Sequence, residues 1–488
     1  MGRSKQELVD RSIIGSDFLQ LSLEDAPAGG LSDWLTERLR EAIADGRLPV
    51  GSRLPATRLL AAELRVSRGV VTEAYQRLIE DGHVAGRGRA GTVVQAAPVV
   101  NPQPAAPVSV PKVFDGEPDQ EVFDALRTAP ARIDLSPGVP DLAAFPRTAW
   151  LRAERTVLGN LSPAAFGYGD PRGAPVFRQA VANWLGRYRG IRVDPDEVIV
   201  VAGVAQALGL LAQVLQRDGI RELAVEDPGS LGARQHLWTT GLRTPPVAVD
   251  AGGLRVSDLV ASGAPAVLMT PAHQFPTGVV LDGRRRRELL RWAEDGGLVI
   301  EDDYDAEHRY DRPPVPALRS LLAGRVCYTG SVSKILAPAL RVGWTVVPRQ
   351  YYDDVVAAKR SADLGNAVLP QLVLAELMTS GEMERHLRQI RRRHRRRRDA
   401  MIDALSKHLP EARVHGAAAG LHLMITFDGI DDTALAAAAL DRGVKVQPLS
   451  WHRQRPGSPG LVLGYAARAA GEIAEGIELI AEAAFAVR

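Results

Sequence analysis

The sequence predicts two unlike modules in one chain. A small helix-turn-helix unit with a β-hairpin wing precedes a larger α/β domain built on a mostly parallel sheet. Three observations predict this. A proline-rich stretch, QAAPVVNPQPAAPVSVP at 95–111, separates two regions of different pattern. Before it, helical periodicities are broken by tight turns. After it, short apolar runs alternate with helix-like stretches.

The totals set the frame. A chain of 488 residues with 45% hydrophobic content is too long for one ordinary domain. A net charge of +2 argues neither for nor against nucleic acid, so the placement of charge decides. The single cysteine, Cys327, cannot form an internal disulfide, which fits a reducing compartment. The opening stretch, MGRSKQELVDRSIIG, is too polar for a signal peptide. No apolar run approaches the roughly 18 residues of a membrane helix. The expectation is a soluble, cytoplasmic protein with no membrane partner. It divides into an N-terminal extension (1–30), the helix-turn-helix (31–94), a linker (95–131) and the large domain (132–488).

In the small module, LSDWLTERLREAIAD places Leu31, Trp34, Leu35, Leu39 and Ile43 on one helical face, with Ser32 as the expected N-cap. Gly46, Pro49, Gly51 and Pro55 punctuate a turn. A second helix is predicted over about 57–64, then a break at RVS. Ser67 caps a third helix over about 68–81, which ends at Asp81-Gly82. HVAGRGRAGTVV reads as two short strands around a Gly/Arg tip.

Over residues 31–95 ten arginines face eight acids, a modest excess of two. Placement is more telling. Arg53, Arg58, Arg65 and Arg68 gather around the second helix and the start of the third, and Arg87 and Arg89 sit on the wing tip. The N-terminal end of a recognition helix enters the major groove, where free N–H groups meet phosphates and arginine reads guanine. The spaced pattern LPxGxRLPxxRxLAxxLxVSRxVVxxAYxxLxxxG resembles the winged helix-turn-helix of the GntR family of bacterial regulators. That resemblance implies operator contact by Arg58, Ser67, Arg68 and Thr72, with Gly88 and Arg89 of the wing reaching the minor-groove side. Gly69 stands where related sequences often carry Thr or Ser, and it has no side chain to offer DNA.

In the large domain, VIVVAG, ELAVEDPG, AVLMTP, GLVIEDDYD and RVCYTGSVSK read as strands, each separated from the next by a helix or a loop. Ligands of such sheets sit at the carboxyl ends of the strands. Asp302 and Tyr304, two apart, share a face. Lys334 follows a strand end. Pyridoxal phosphate needs a lysine for its Schiff base and an acid for its ring nitrogen. A tyrosine hydroxyl suits the ring O3′. Its phosphate needs hydroxyls, an arginine and helix-start N–H groups. Ser331, Ser333 and Arg341 supply the first two, and Val204 and Ala205 the third.

PAHQFPTG at 271–278, EDDYD, SVSK, PALR and YGDPRG at 168–173 together resemble fold-type I aminotransferases. The resemblance implies a pyridoxal-phosphate-dependent transferase fold of the aspartate aminotransferase type. It also implies a homodimer in which Tyr168 reaches the partner's cofactor phosphate. Both halves together resemble the MocR family of transcriptional regulators. That layout implies a head-to-tail, domain-swapped dimer with operator DNA and a small effector as partners.

Three departures matter. Ser230 stands where an aromatic usually stacks on the cofactor. Val462, in LVLGY, stands where related enzymes put an arginine to clamp a substrate carboxylate, and valine cannot replace that fork. Phe275 replaces the asparagine that often bonds O3′, and it is a candidate to cover the ring. The expectation is therefore a regulator with no catalytic residue as such, holding pyridoxal phosphate on Lys334 and needing no metal. Its signal is either pyridoxal phosphate itself, as in PdxR-like members controlling vitamin B6 synthesis, or an amine or amino acid captured by the cofactor, as in GabR-like members. A working aminotransferase that carries a DNA-binding domain is the alternative. Finally, the run RRRHRRRR at 391–398 holds seven arginines in eight residues. A helix points such charges all around, so a structural role is expected for some, with an auxiliary DNA contact as the other reading.

Overall fold

The computed structural model describes residues 26, 30–86, 88, 91–95, 113–310, 315–416 and 418–487. Contacts divide the chain after Ser109 into two compact units. Each is described by itself.

In the small unit, α1 spans Leu31–Ala44, α2 Thr57–Glu63 and α3 Arg68–Glu80, followed by β1 (Val84–Gly86) and β2 (Thr92–Val94). The apolar face read from the sequence is the buried one: Leu35, Leu39 and Ile43 meet Leu60, Val71, Tyr75 and Leu78 in one core. Each such side chain contributes roughly 1.5–3 kcal/mol on burial. The Tyr75 hydroxyl donates to the Pro55 carbonyl at 2.8 Å and fastens α3 to the turn before α2. The strands pair antiparallel, Val84 opposite Val94, as the hairpin pattern predicts. Gly82 takes φ +78° just past α3, where glycine ends a helix at least cost. Ser67 caps α3, accepting from the Val70 N–H. Ser32 does not cap α1. Gly30, in the left-handed region at φ +75°, starts the helix earlier, and Ser32 lies within the first turn, where its carbonyl accepts from Thr36 at 2.6 Å.

The large unit holds an eight-stranded sheet. Its spatial order is 199–201, 343–346, 326–331, 298–303, 266–269, 224–227, 246–250 and 253–254. The five strands from 326–331 to 246–250 run parallel, as short apolar runs between helices predict. The 343–346 strand lies antiparallel to both its neighbours. Helices 204–217 and 349–363 cover one face through Leu208, Leu211, Leu215 and Val355. Helices 256–262 and 283–294 cover the other through Leu259, Leu289 and Ala293. Toward the C-terminus, strands 413–415, 422–426, 460–464 and 447–448 form a second, antiparallel sheet in that order, packed on helices 432–441 and 470–486. Among the described residues no helix is long and apolar enough to cross a membrane.

The arginine run lies in the long helix Glu382–His408. Arg393 and Arg397 pair with the buried Asp141 at 2.7 and 2.9 Å. Arg391 donates to the Glu307 carbonyl at 2.5 Å. Arg398 pairs with Asp399 at 2.7 Å and sits over the Tyr310 ring. Arg392, Arg395 and Arg396 face outward.

Candidate functional site

At the carboxyl ends of the parallel strands a cavity of about 310 Å³ opens. Lys334, Asp302, Tyr304, Ser331, Ser333, Arg341, Val204 and Phe275, all read from the sequence as cofactor residues, line it. Strand parity explains part of this: Asp302 and Tyr304 leave the end of one strand on the same face. Asp303, between them, points into the core, where it pairs with Arg189 at 2.5 Å and accepts from the Tyr328 hydroxyl at 2.6 Å. Ala205 lies in the first turn of helix 204–217 but not on the cavity wall. Tyr168 stands elsewhere, 95% exposed.

Lys334 Nζ donates to the Gly138 carbonyl at 2.5 Å. Burial lowers the pKa of its amine, against the pull of Asp305 and Asp302. The Asp302 carboxyl is pushed up to about 7, first by burial and then by Asp303 and Asp305. Its Oδ1 is buried with no hydrogen-bond partner among the described residues. A buried acid oxygen left unpaired costs about 1–3 kcal/mol, and a protonated ring nitrogen would satisfy it. Helix 204–217 begins at Gly203, which takes φ +88°, and Gly203 and Val204 line the cavity, so the helix N-terminus lies at its wall. Arg341, itself in the left-handed region at φ +51°, reaches beside Gly203 and donates to the Ala202 carbonyl. An arginine, two serines and a helix N-terminus thus line one cavity together with a lysine amine and an orphaned carboxylate. That donor set fits a phosphorylated pyridine aldehyde.

The remaining wall was not legible from the sequence. Gly138, Thr270, Leu421 and His422 also line the cavity. Thr270 donates through its backbone and hydroxyl to Glu226, whose carboxyl burial pushes up to about 7. His422 donates to the Pro276 carbonyl at 3.2 Å, and burial takes its imidazole down to about 3. His273 and Asp305 stand inside the quoted PAHQFPTG and EDDYD blocks, but only folding pairs them, at 2.8 Å.

The three departures have clear structural places. Ser230 lines the cavity and spends its hydroxyl on capping helix 231–239, accepting from Ala233 N–H at 3.2 Å. Phe275 stands edge-on to Tyr304, with ring centroids 6.2 Å apart. Val462 is fully buried and packs with Met424, Leu449 and Phe275 in one apolar cluster. Arg468 lies beyond that strand and pairs with Glu472.

On the small unit, Arg58, Arg68 and Thr72 are exposed, and Arg68, Gly69, Thr72 and Gln76 share a shallow groove along α3. Arg68 reaches the Thr57 hydroxyl at 3.3 Å, and Thr72 donates to the Arg68 carbonyl at 2.9 Å. Arg77 is held by Asp33 and Glu73 and so is less available to a phosphate. Gly88 takes φ +55° at the wing tip, and Arg87 and Arg89 lie outside the described residues.

Comparison with known proteins agrees with the two-domain layout. Residues 31–94 match the family "Bacterial regulatory proteins, gntR family", and 131–460 match "Aminotransferase class I and II". The probable rhizopine catabolism regulatory protein MocR of Rhizobium meliloti is 32% identical, covering 93% of each chain. The HTH-type pyridoxine biosynthesis transcriptional regulator PdxR of Corynebacterium glutamicum is also 32% identical, over 92% of this chain and 94% of that one. Among solved structures, the α-aminoadipate aminotransferase LysN of Thermus thermophilus superposes with a TM-score of 0.68 at 28% identity, over 75% of this chain and 94% of that one. The fold, the orphaned Asp302 and these relatives agree on pyridoxal phosphate as the cofactor. The chain belongs to the MocR-type transcriptional regulators, with a GntR-family DNA-binding domain and a fold-type I aminotransferase-like domain that takes pyridoxal phosphate.

Proposed function

We propose that this regulator holds pyridoxal phosphate through a Schiff base to Lys334, senses the cofactor itself, and does not turn over as a transaminase. Val462 carries the reading. Where the resemblance calls for a guanidinium fork to hold an amino-acid carboxylate, Val462 is buried in an apolar cluster with Met424, Leu449 and Phe275, of which Phe275 lines the cavity. The pyridoxine-linked name of the Corynebacterium relative supports the same effector.

In this reading, bound pyridoxal phosphate supplies an electron-withdrawing ring and an aldehyde for an amine. Asp302 would hold the proton on the ring nitrogen, and Tyr304 would lie near O3′. Ser331, Ser333, Arg341 and the N–H groups of Val204 and Ala205 would hold the phosphate, with Phe275 beside the ring. Tyr168, so exposed in one chain, would complete the phosphate site of the partner subunit in a head-to-tail homodimer. Arg58, Ser67, Arg68, Thr72, Gly88 and Arg89 would contact the operator. Such a protein acts in the cytoplasm. The ligand changes DNA affinity only by binding two dimer conformations unequally.

The rival effector is an amine or amino acid captured at the cofactor, as GabR-like members do. Steady-state assays with a panel of amino acids and keto acids test the enzymatic alternative. Fewer than one turnover per site is expected, and repeated turnovers at an ordinary enzymatic rate of about 1 s⁻¹ or more refute the proposal.

A further inference from the structure

Phe275 stands in a wall with space on both sides. A second cavity of about 30 Å³ lies beside the cofactor cavity, and Ser230, Thr270, Phe275 and Asp302 line both. A side chain in such a partition lacks close packing on one side, so its backbone has to set where it stands. Both backbone groups of Phe275 are held by side chains. Its N–H donates to the Thr270 hydroxyl oxygen at 3.0 Å, and its carbonyl accepts from Gln274 Nε2 at 2.6 Å. Each of those side chains is tied in turn to the end of strand 224–227. Thr270 donates through its N–H and its hydroxyl to Glu226 Oε2, at 2.9 and 2.8 Å. Gln274 Nε2 also donates to the carbonyl of Pro228, next after that strand, at 2.8 Å. The other end of the Gln274 amide accepts from the Thr277 N–H and hydroxyl, which fixes the way it points. Glu226 sets the direction of the chain. Its oxygen takes the Thr270 hydroxyl proton, and the Thr270 oxygen is left with a lone pair for the Phe275 N–H.

On the reading that Lys334 carries pyridoxal phosphate, we infer that Glu226 is a positioning residue for the cofactor. Acting through Thr270, with Gln274 closing the clasp, it fixes Phe275 against the cofactor ring. Phe275 so held does the work that an aromatic at the place of Ser230 would otherwise do. Glu226 is 5% exposed and lines only the smaller cavity, so it acts without touching the cofactor. The Phe275 ring meets Tyr304, His422 and His452, with centroids 6.2, 5.0 and 5.0 Å away. Those contacts orient the ring, and the backbone bonds decide how far it stands into the cofactor cavity.

The test is the affinity of the full chain for pyridoxal phosphate, read from the visible band that Lys334→Ala lacks, with far-ultraviolet circular dichroism as a check on folding. Glu226→Leu removes the acceptor and is expected to weaken binding by about fivefold or more. Glu226→Gln keeps an oxygen for Thr270 and is expected to recover most of that loss. Thr270→Val keeps the shape but deletes the hydroxyl that joins Glu226 to Phe275. It is expected to match Glu226→Leu within about twofold, and it serves as the test if Glu226→Leu does not fold. In a Phe275→Ala background Glu226→Leu is expected to cost less than about twofold further, because the side chain it positions is gone. Equal losses from Glu226→Leu in both backgrounds would show that the acid serves the fold and not Phe275, and would overturn the inference. So would no loss in Glu226→Leu, or no recovery in Glu226→Gln. If the wild type shows no visible band that Lys334→Ala lacks, attachment at Lys334 has failed instead, and the inference falls with it.

Discussion

Lys334 donates to the carbonyl of Gly138 at 2.5 Å, across 196 residues of sequence. The contact holds the amine in the cavity without neutralising a charge, and burial lowers its pKa. An amine kept closer to its neutral form is the nucleophile a carbonyl needs. Lys334→Ala is therefore expected to abolish the visible absorption that appears with pyridoxal phosphate, while operator binding by the separately folded small unit persists. Absorption spectra and gel shifts on the same preparation check both.

Arg68 opens α3, and its guanidinium reaches the Thr57 hydroxyl. Its removal should cost the fold no more than about 0.5 kcal/mol. A bidentate base contact is worth about 1–3 kcal/mol, so Arg68→Ala should weaken operator binding by roughly fivefold or more and leave cofactor absorption intact. Unchanged gel shifts would show that α3 is not the recognition helix.

Asp302 gives a pH signature. Its folded pKa of about 7 lies above the usual carboxylate range, chiefly through burial. The folded state therefore binds more protons than the unfolded one between about pH 4 and 7, so stability falls as pH rises through that window. In the cofactor-free protein, Asp302→Asn should raise the melting temperature at pH 8. The gain, on the order of a few kcal/mol, should shrink toward pH 4. Added pyridoxal phosphate should remove the advantage, because only the carboxylate pairs with a protonated ring. Melting curves at the two pH values, with and without pyridoxal phosphate, check the sign.

The arginine run separates into two classes. Asp141 is buried and answers Arg393 and Arg397. Arg397→Ala removes part of that neutralisation and should destabilise the large unit by about 1–3 kcal/mol. Arg396→Ala, on the outward face, should stay within about 0.5 kcal/mol. Denaturant unfolding of the two variants distinguishes them. An equal loss of DNA affinity in both, with no loss of stability, would favour the auxiliary DNA reading instead.

Much of this was legible in the sequence because it is local. Strand parity put Asp302 and Tyr304 on one face, and the SxSK turn placed Ser331, Ser333 and Lys334 together. The helix period of residues 31–43 picked out its own buried face. What stayed hidden is what the fold brings from far away. Gly138 meets Lys334, and His422 arrives from the second sheet. His273 finds Asp305 from another strand end. The Ser32 cap failed for a local reason: a glycine in the left-handed region started the helix before the serine could.

The central claim is that one ligand links the two units. The direct test is the apparent Kd of the full chain for the DNA upstream of its own gene, measured at fixed salt with and without pyridoxal phosphate, beside Lys334→Ala. The account predicts a change of about fivefold or more in the wild type and none in the variant. A wild-type Kd indifferent to pyridoxal phosphate would contradict it, as would an equal change in Lys334→Ala.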